Sequence, residues 1–129
     1  MVKFLIDRIK LNHKINGAWK ETRAELAEEI LNDCNYYCKR AEGDLIGSSL
    51  IHSRPRKGKL IWQTPYAKRQ YWEIETAYTD ENPNASWKWC EVAKANHKER
   101  WERQAQALYV QKLAQNGVGL YDVGGGGDE

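Results

Sequence analysis

The sequence has one phenylalanine, one methionine, three prolines and three cysteines among its 129 residues. Each scarcity excludes something. With a single Phe, the aromatic content rests on six Trp and seven Tyr. These side chains have polar tips and serve at interfaces as well as in cores. Three Cys, an odd number, do not make a disulfide framework and point to free thiols in a reducing compartment. No apolar run approaches the ~20 residues a membrane span needs. The opening "MVKFLIDRIK" is charged throughout, so no signal peptide is expected. There is no large charge excess either. A net charge of +2, from 20 basic and 18 acidic residues, is too balanced for a dedicated nucleic-acid binder. The balance is uneven along the chain: residues 1–65 carry 12 basic and 8 acidic groups, residues 66–129 carry 8 and 10. Such polarity can orient subunits in an assembly.

What is present fits one domain, residues 1–115, followed by a Gly-rich C-terminal tail, residues 116–129. A mean hydropathy of -0.81 implies a modest core. Val2–Leu11 reads as a strand and "NHKING" as a turn punctuated by Asn16-Gly17. From Ala18 to about Arg40, Trp19, Leu26, Ile30, Cys34, Tyr37 and Cys38 recur at helical spacing on one face. Gly43 is the expected stop, in the position that favours positive φ. "LIGSSLIHS" reads equally as a short helix or a strand entry. "SSLIHS" would be the hairpin partner of the strand "KLIWQ", with the basic loop "RPRKGK" at the tip. Thr64 and Pro65 suit the start of a helical turn that carries "YAKRQYWE".

"TAYTDENPNAS" is a loop, and Asn84 or Ser86 is the expected cap of a last helix from about Trp87 to Gln115. Its stripe is Cys90, Ala93, His97, Trp101, Ala105, Leu108 and Lys112. At 1.5 Å per residue this rod is ~43 Å long, so one end is expected to project or to meet a neighbour. Four consecutive Gly in the tail "NGVGLYDVGGGGDE" hold no conformation alone.

The chain offers residues for three chemistries. Cys34, Cys38 and Cys90 with His97 could in principle hold zinc, but the tight Cys pairs of structural sites are absent and plain core packing is favoured. For catalysis, the three His lie in unrelated contexts, Ser48-Ser49 is not a nucleophile elbow, and "GGGG" has no strand before it or helix after it. Arg54, Arg56, Lys57 and Lys59 form the best nucleic-acid candidate, with Trp62 as a stacking neighbour. The alternatives for that loop are a solvated tip and an acidic protein partner.

Three elements in order carry a resemblance. "EGDLIGSS" (Glu42–Ser49), "LIWQTPYAKRQYWE" (Leu60–Glu73) and "WCEVAKANHKERW" (Trp89–Trp101) follow each other over roughly half the chain. In order and spacing they resemble a family of small tailed-phage proteins: minor capsid, neck or tail-completion proteins. The resemblance implies a virion structural protein made in the host bacterial cytoplasm. It would act at the head–tail junction as a homo-oligomer, in a ring of several copies. Its partners would be other head–tail connector or tail proteins, with genome DNA in the channel and no membrane. No cofactor, no metal and no catalysis are expected. The implied fold is α+β: a small antiparallel sheet with a long amphipathic helix packed on it, plus a flexible C-terminal tail. Trp62, Tyr66, Tyr71 and Trp72 are the expected packing and interface anchors. Arg54, Arg56, Lys57 and Lys59 would face a partner subunit or DNA. The alternative function is a small nucleic-acid-binding protein that uses the basic loop 54–59.

Overall fold

The computed structural model describes residues 2–5, 13–40, 44–74 and 80–117. The elements run β1 (Val2–Leu5), α1 (His13–Tyr36), α2 (Leu45–His52), a 3-10 turn (Pro55–Lys57), β2 (Lys59–Trp62), α3 (Ala67–Trp72) and α4 (Trp89–Gln115). Among the described residues the chain is mostly helical. Strand structure among these residues is confined to β1 and β2, which pair antiparallel with Val2 opposite Trp62 and Leu5 opposite Lys59. Among the described residues the expected antiparallel sheet amounts to this one pair of short strands. The long helix α4 instead packs along α1, helix on helix.

The two long helices bury the stripes that their periodicity marks. Leu26, Ile30 and Cys34 of α1 face Cys90, Ala93 and Trp101 of α4 in one core. Leu45 of α2, Leu60 and Trp62 of β2, and Tyr71 of α3 close it at the other side. Charge clasps the rim. Asp33 Oδ2 accepts from Arg100 Nη2 at 2.6 Å and from Trp101 Nε1 at 2.7 Å. Glu29 pairs with Arg100, and Glu25 with Lys112.

Several local expectations change. Asn16-Gly17 is no turn: α1 starts at His13 and runs through it. A helical Gly costs only about 1 kcal/mol against Ala, which tertiary packing overrides. The longer α1 removes the expected overhang of α4. Lys112 reaches Glu25, Leu113 is buried, and Tyr109 meets Trp19 edge to face at 6.2 Å. The far end of α4 therefore lies against the first half of α1. Gly43 lies outside the described residues.

"LIGSSLIH" is a helix, so "SSLIHS" is not a hairpin partner; β2 pairs with β1. Asp44 caps α2, its Oδ1 accepting from Gly47 N at 2.8 Å. A Cβ on residue 47 would stand 2.1 Å from that carboxylate, so a larger residue there would have to move the Asp44 side chain from its present capping position. The basic loop does form a tight turn. Arg54 and Lys59 bond to each other as an isolated antiparallel bridge, and Gly58 adopts φ 68°. Only glycine takes that conformation without cost. The turn joins a helix to a strand rather than two strands. Neither Asn84 nor Ser86 caps α4. Its cap position is Lys88, at φ 50° with no side-chain cap bond. Thr64 and Pro65 form a turn in which Thr64 O accepts from Ala67 N at 3.1 Å, and α3 begins at Ala67.

Candidate functional site

The segment from Leu45 to Trp72 contains Arg54, Arg56, Lys57, Lys59, Lys68 and Arg69 and no acidic residue. It folds into α2, the basic turn, β2 and α3, and places its positive charge at two locations, the turn and α3. Four large apolar side chains on this segment stand exposed: Leu50, Ile51, Tyr66 and Trp72.

The four expected anchors divide. Trp62 has no exposed surface and Tyr71 is buried. Trp62 Nε1 donates to Asn35 Oδ1 at 2.8 Å, and its ring meets Trp89 at 5.9 Å. Tyr71 lies edge to face against Trp89 at 4.8 Å. These two rings are core, and Trp62 cannot stack on a base or meet a partner. Tyr66 and Trp72 remain outside, with 60% and 54% of their surfaces exposed. Helical spacing explains the split. Ala67, Gln70 and Tyr71 occupy the buried arc of α3, while Lys68, Arg69 and Trp72 share the outer one with the preceding Tyr66.

Trp72 is braced. Its ring packs edge to face on Tyr71 at 5.4 Å, and the Lys88 ammonium lies 5.1 Å from its centroid. The same ammonium lies 4.4 Å from the Trp87 ring. A cation held between two indoles attracts both through their ring quadrupoles. The Lys88 backbone is fixed too, its N–H donating to Tyr71 O at 2.7 Å. Arg69 pairs with Glu73 on the same face.

The basic turn lies elsewhere. Arg54, Arg56 and Lys57 are exposed and Lys59 half-buried. Arg23 Nη2 of α1 donates to Arg56 O at 2.6 Å and ties the turn to α1. Beside it, Leu31, Leu50 and Pro55 line a shallow groove of about 250 Å³.

The thiols are core groups. Cys34, Cys38 and Cys90 are free and buried. A hydrogen bond with Cys90, then burial, pushes the Cys34 thiol far above its ordinary range. Burial does the same to Cys38 and to the Tyr71 phenol. A protonated thiol is a poor nucleophile and a poor metal ligand. Among the described residues no group of His, Cys, Asp or Glu is arranged to hold a metal ion. His97 instead lies 3.4 Å from Tyr37 Oη and packs near Trp101. Ser48 and Ser49 are engaged structurally: Ser48 Oγ accepts from Gln63 N at 3.0 Å, and Ser49 Oγ from Asn35 Nδ2 at 2.9 Å.

Residues 2–108 match the minor capsid protein family. The chain belongs to that family, which is of phage origin. No curated protein and no solved structure matches it. As a minor capsid protein it is a structural component of the virion, and the family points to a non-enzymatic role. No described helix is long and apolar enough to cross a membrane.

The polar groups that organise this minor capsid protein were not singled out from sequence. Lys39 is fully buried, and its Nζ donates to Gln70 O at 2.7 Å and to Glu73 O. These are carbonyls at the end of α3, where a cation is favoured. Asn82 Nδ2 donates to Tyr36 O and Cys38 O, both at 2.9 Å, and closes the end of α1. Asp80 accepts from Arg40 N at 2.8 Å. A run "DENPN" of Asp, Asn and Pro after a helix was a usable signal, because such side chains bond local backbone readily. Lys39 gave none: by composition it reads as a solvated helix-end cation.

Proposed function

We propose that this minor capsid protein is a neck subunit that completes the tail and joins it to the filled head, working as one copy in a ring. The observation that carries this reading is the outer face of α3. There Tyr66 and Trp72 stand exposed beside Lys68 and Arg69, and Trp72 is braced by Tyr71 and Lys88. Trp, Tyr and Arg are the residues that dominate protein interfaces, and a pre-positioned ring loses little entropy on docking. Arg54, Arg56 and Lys57 offer a second, separate basic patch on the 3-10 turn, toward a partner subunit or DNA. A closed ring of identical subunits joins two different patches on each copy, and the outer face of α3 would be one of them.

The test is a phage deleted for the chain, with its particles imaged. The reading predicts filled heads and free tails that fail to join, restored by the chain supplied in trans. Normal joined, infective particles without the chain would overturn it.

A further inference from the structure

The braced face of α3 has a partner of matching chemistry within the sequence. Residues 118–129, "VGLYDVGGGGDE", carry Asp122, Asp128 and Glu129 and no basic group. Their apolar side chains are grouped in Val118, Leu120, Tyr121 and Val123, ahead of the four glycines. The α3 face offers the converse: two exposed aromatic rings among cations.

Reach decides which copy supplies the segment. Trp72 sits at the first end of α4, because Lys88, the residue before that helix, touches its ring and bonds Tyr71 O. Residue 118 follows Gly117 at the opposite end. A helix of 27 residues is roughly 40 Å long. Val123 lies six residues beyond Gly117, at most about 20 Å of extended chain. The apolar part of the tail therefore falls well short of Trp72 in its own chain.

We propose that the outer face of α3 docks the C-terminal segment, residues 118–129, of a second copy of this chain. Leu120, Tyr121 and Val123 would cover Trp72 and Tyr66, with Asp122 toward Lys68. The contact joins the far end of α4 in one copy to the near end in the next. It is head-to-tail and uses two different patches, the kind of contact that closes to a ring when the rotation between copies allows. It rests on the neck reading, because the ring is where the copies meet in this order.

The test titrates a synthetic peptide of residues 118–129 into the isotope-labelled full chain, kept dilute enough to be monomeric. The indole N–H resonances of the six Trp are followed. The Trp72 indole is expected to shift saturably at low salt, and less as salt rises. Trp72→Ala should weaken binding about tenfold or more. Because Trp72 also holds Lys88, the exposed Lys68→Glu serves as a second variant and should weaken it too. A peptide carrying Asp122→Lys should bind poorly. No saturable shift would overturn the inference, as would binding indifferent to both protein variants or centred on Leu50 and Ile51. The outcomes separate from the neck reading. Absent peptide binding leaves the particle phenotype untouched, and a normal deletion phage leaves the peptide contact measurable.

Discussion

The Lys39 ammonium donates to the Gln70 carbonyl at 2.7 Å, with the lysine side chain wholly out of solvent. This bond joins the end of α1 to the last turn of α3, the helix that displays Trp72. Removing the ammonium leaves carbonyls at the end of α3 buried without it. Lys39→Met, which keeps the aliphatic stem, should destabilise the protein by about 2–3 kcal/mol. Urea unfolding measures this, and the exposed-indole fluorescence of Trp72 should change with it. An unchanged midpoint would show that the bond contributes nothing.

A second buried connection links three elements. Asn35 accepts from Trp62 Nε1 at 2.8 Å and donates to Ser49 Oγ at 2.9 Å. Asn35→Ala orphans the Trp62 N–H and takes one of two bonds from Ser49 Oγ, which keeps Ile46 O, and should cost about 2–3 kcal/mol. Trp62→Phe removes one donor, and the double variant should show coupling of roughly 1 kcal/mol. Additive losses would mean that the two side chains do not act together.

Two glycines of helices should respond in opposite directions. A Cβ on Gly17 meets nothing within 4 Å, so Gly17→Ala should raise stability by about 0.5–1 kcal/mol. Gly47→Ala drives a methyl into the Asp44 carboxylate and displaces the cap of α2, at about 1 kcal/mol or more. Thermal melts of the two variants check the opposed signs.

The fold should weaken in alkali. Cys34 and Cys38 start from an ordinary value of 9.0 and Tyr71 from 10.0, and all three are raised in the folded chain. Above pH ~9 the unfolded chain releases these protons while the folded chain keeps them. The unfolded state then binds fewer protons, so stability falls as pH rises. The urea midpoint should be level from pH 7 to 8 and drop by pH 10.5. The same thiols should resist alkylation until the protein unfolds. A flat midpoint, or rapid labelling of the folded chain, would contradict the buried thiol cluster.

The long helices were legible because burial on one face leaves a periodic trace. Leu26, Ile30 and Cys34, then Cys90, Ala93 and Trp101, are spaced as they are packed. Chain breaks were less legible. Asn16-Gly17 has the local chemistry of a turn, yet α1 runs through it. The fate of "LIGSSLIH" turned on Asp44, whose cap is a contact three residues long that period alone does not reveal. In the site, Tyr66 and Trp72 were found but not told apart from Trp62 and Tyr71. Composition marks an aromatic as interface-suited; which side of α3 it occupies decides its role.

A local reconstruction of the neck in intact virions should show this chain as a ring between head and tail. The outer face of α3, with Trp72, should lie at a subunit boundary. Density for the chain only in the head shell or at the distal tail tip, with none in the neck, would contradict the account.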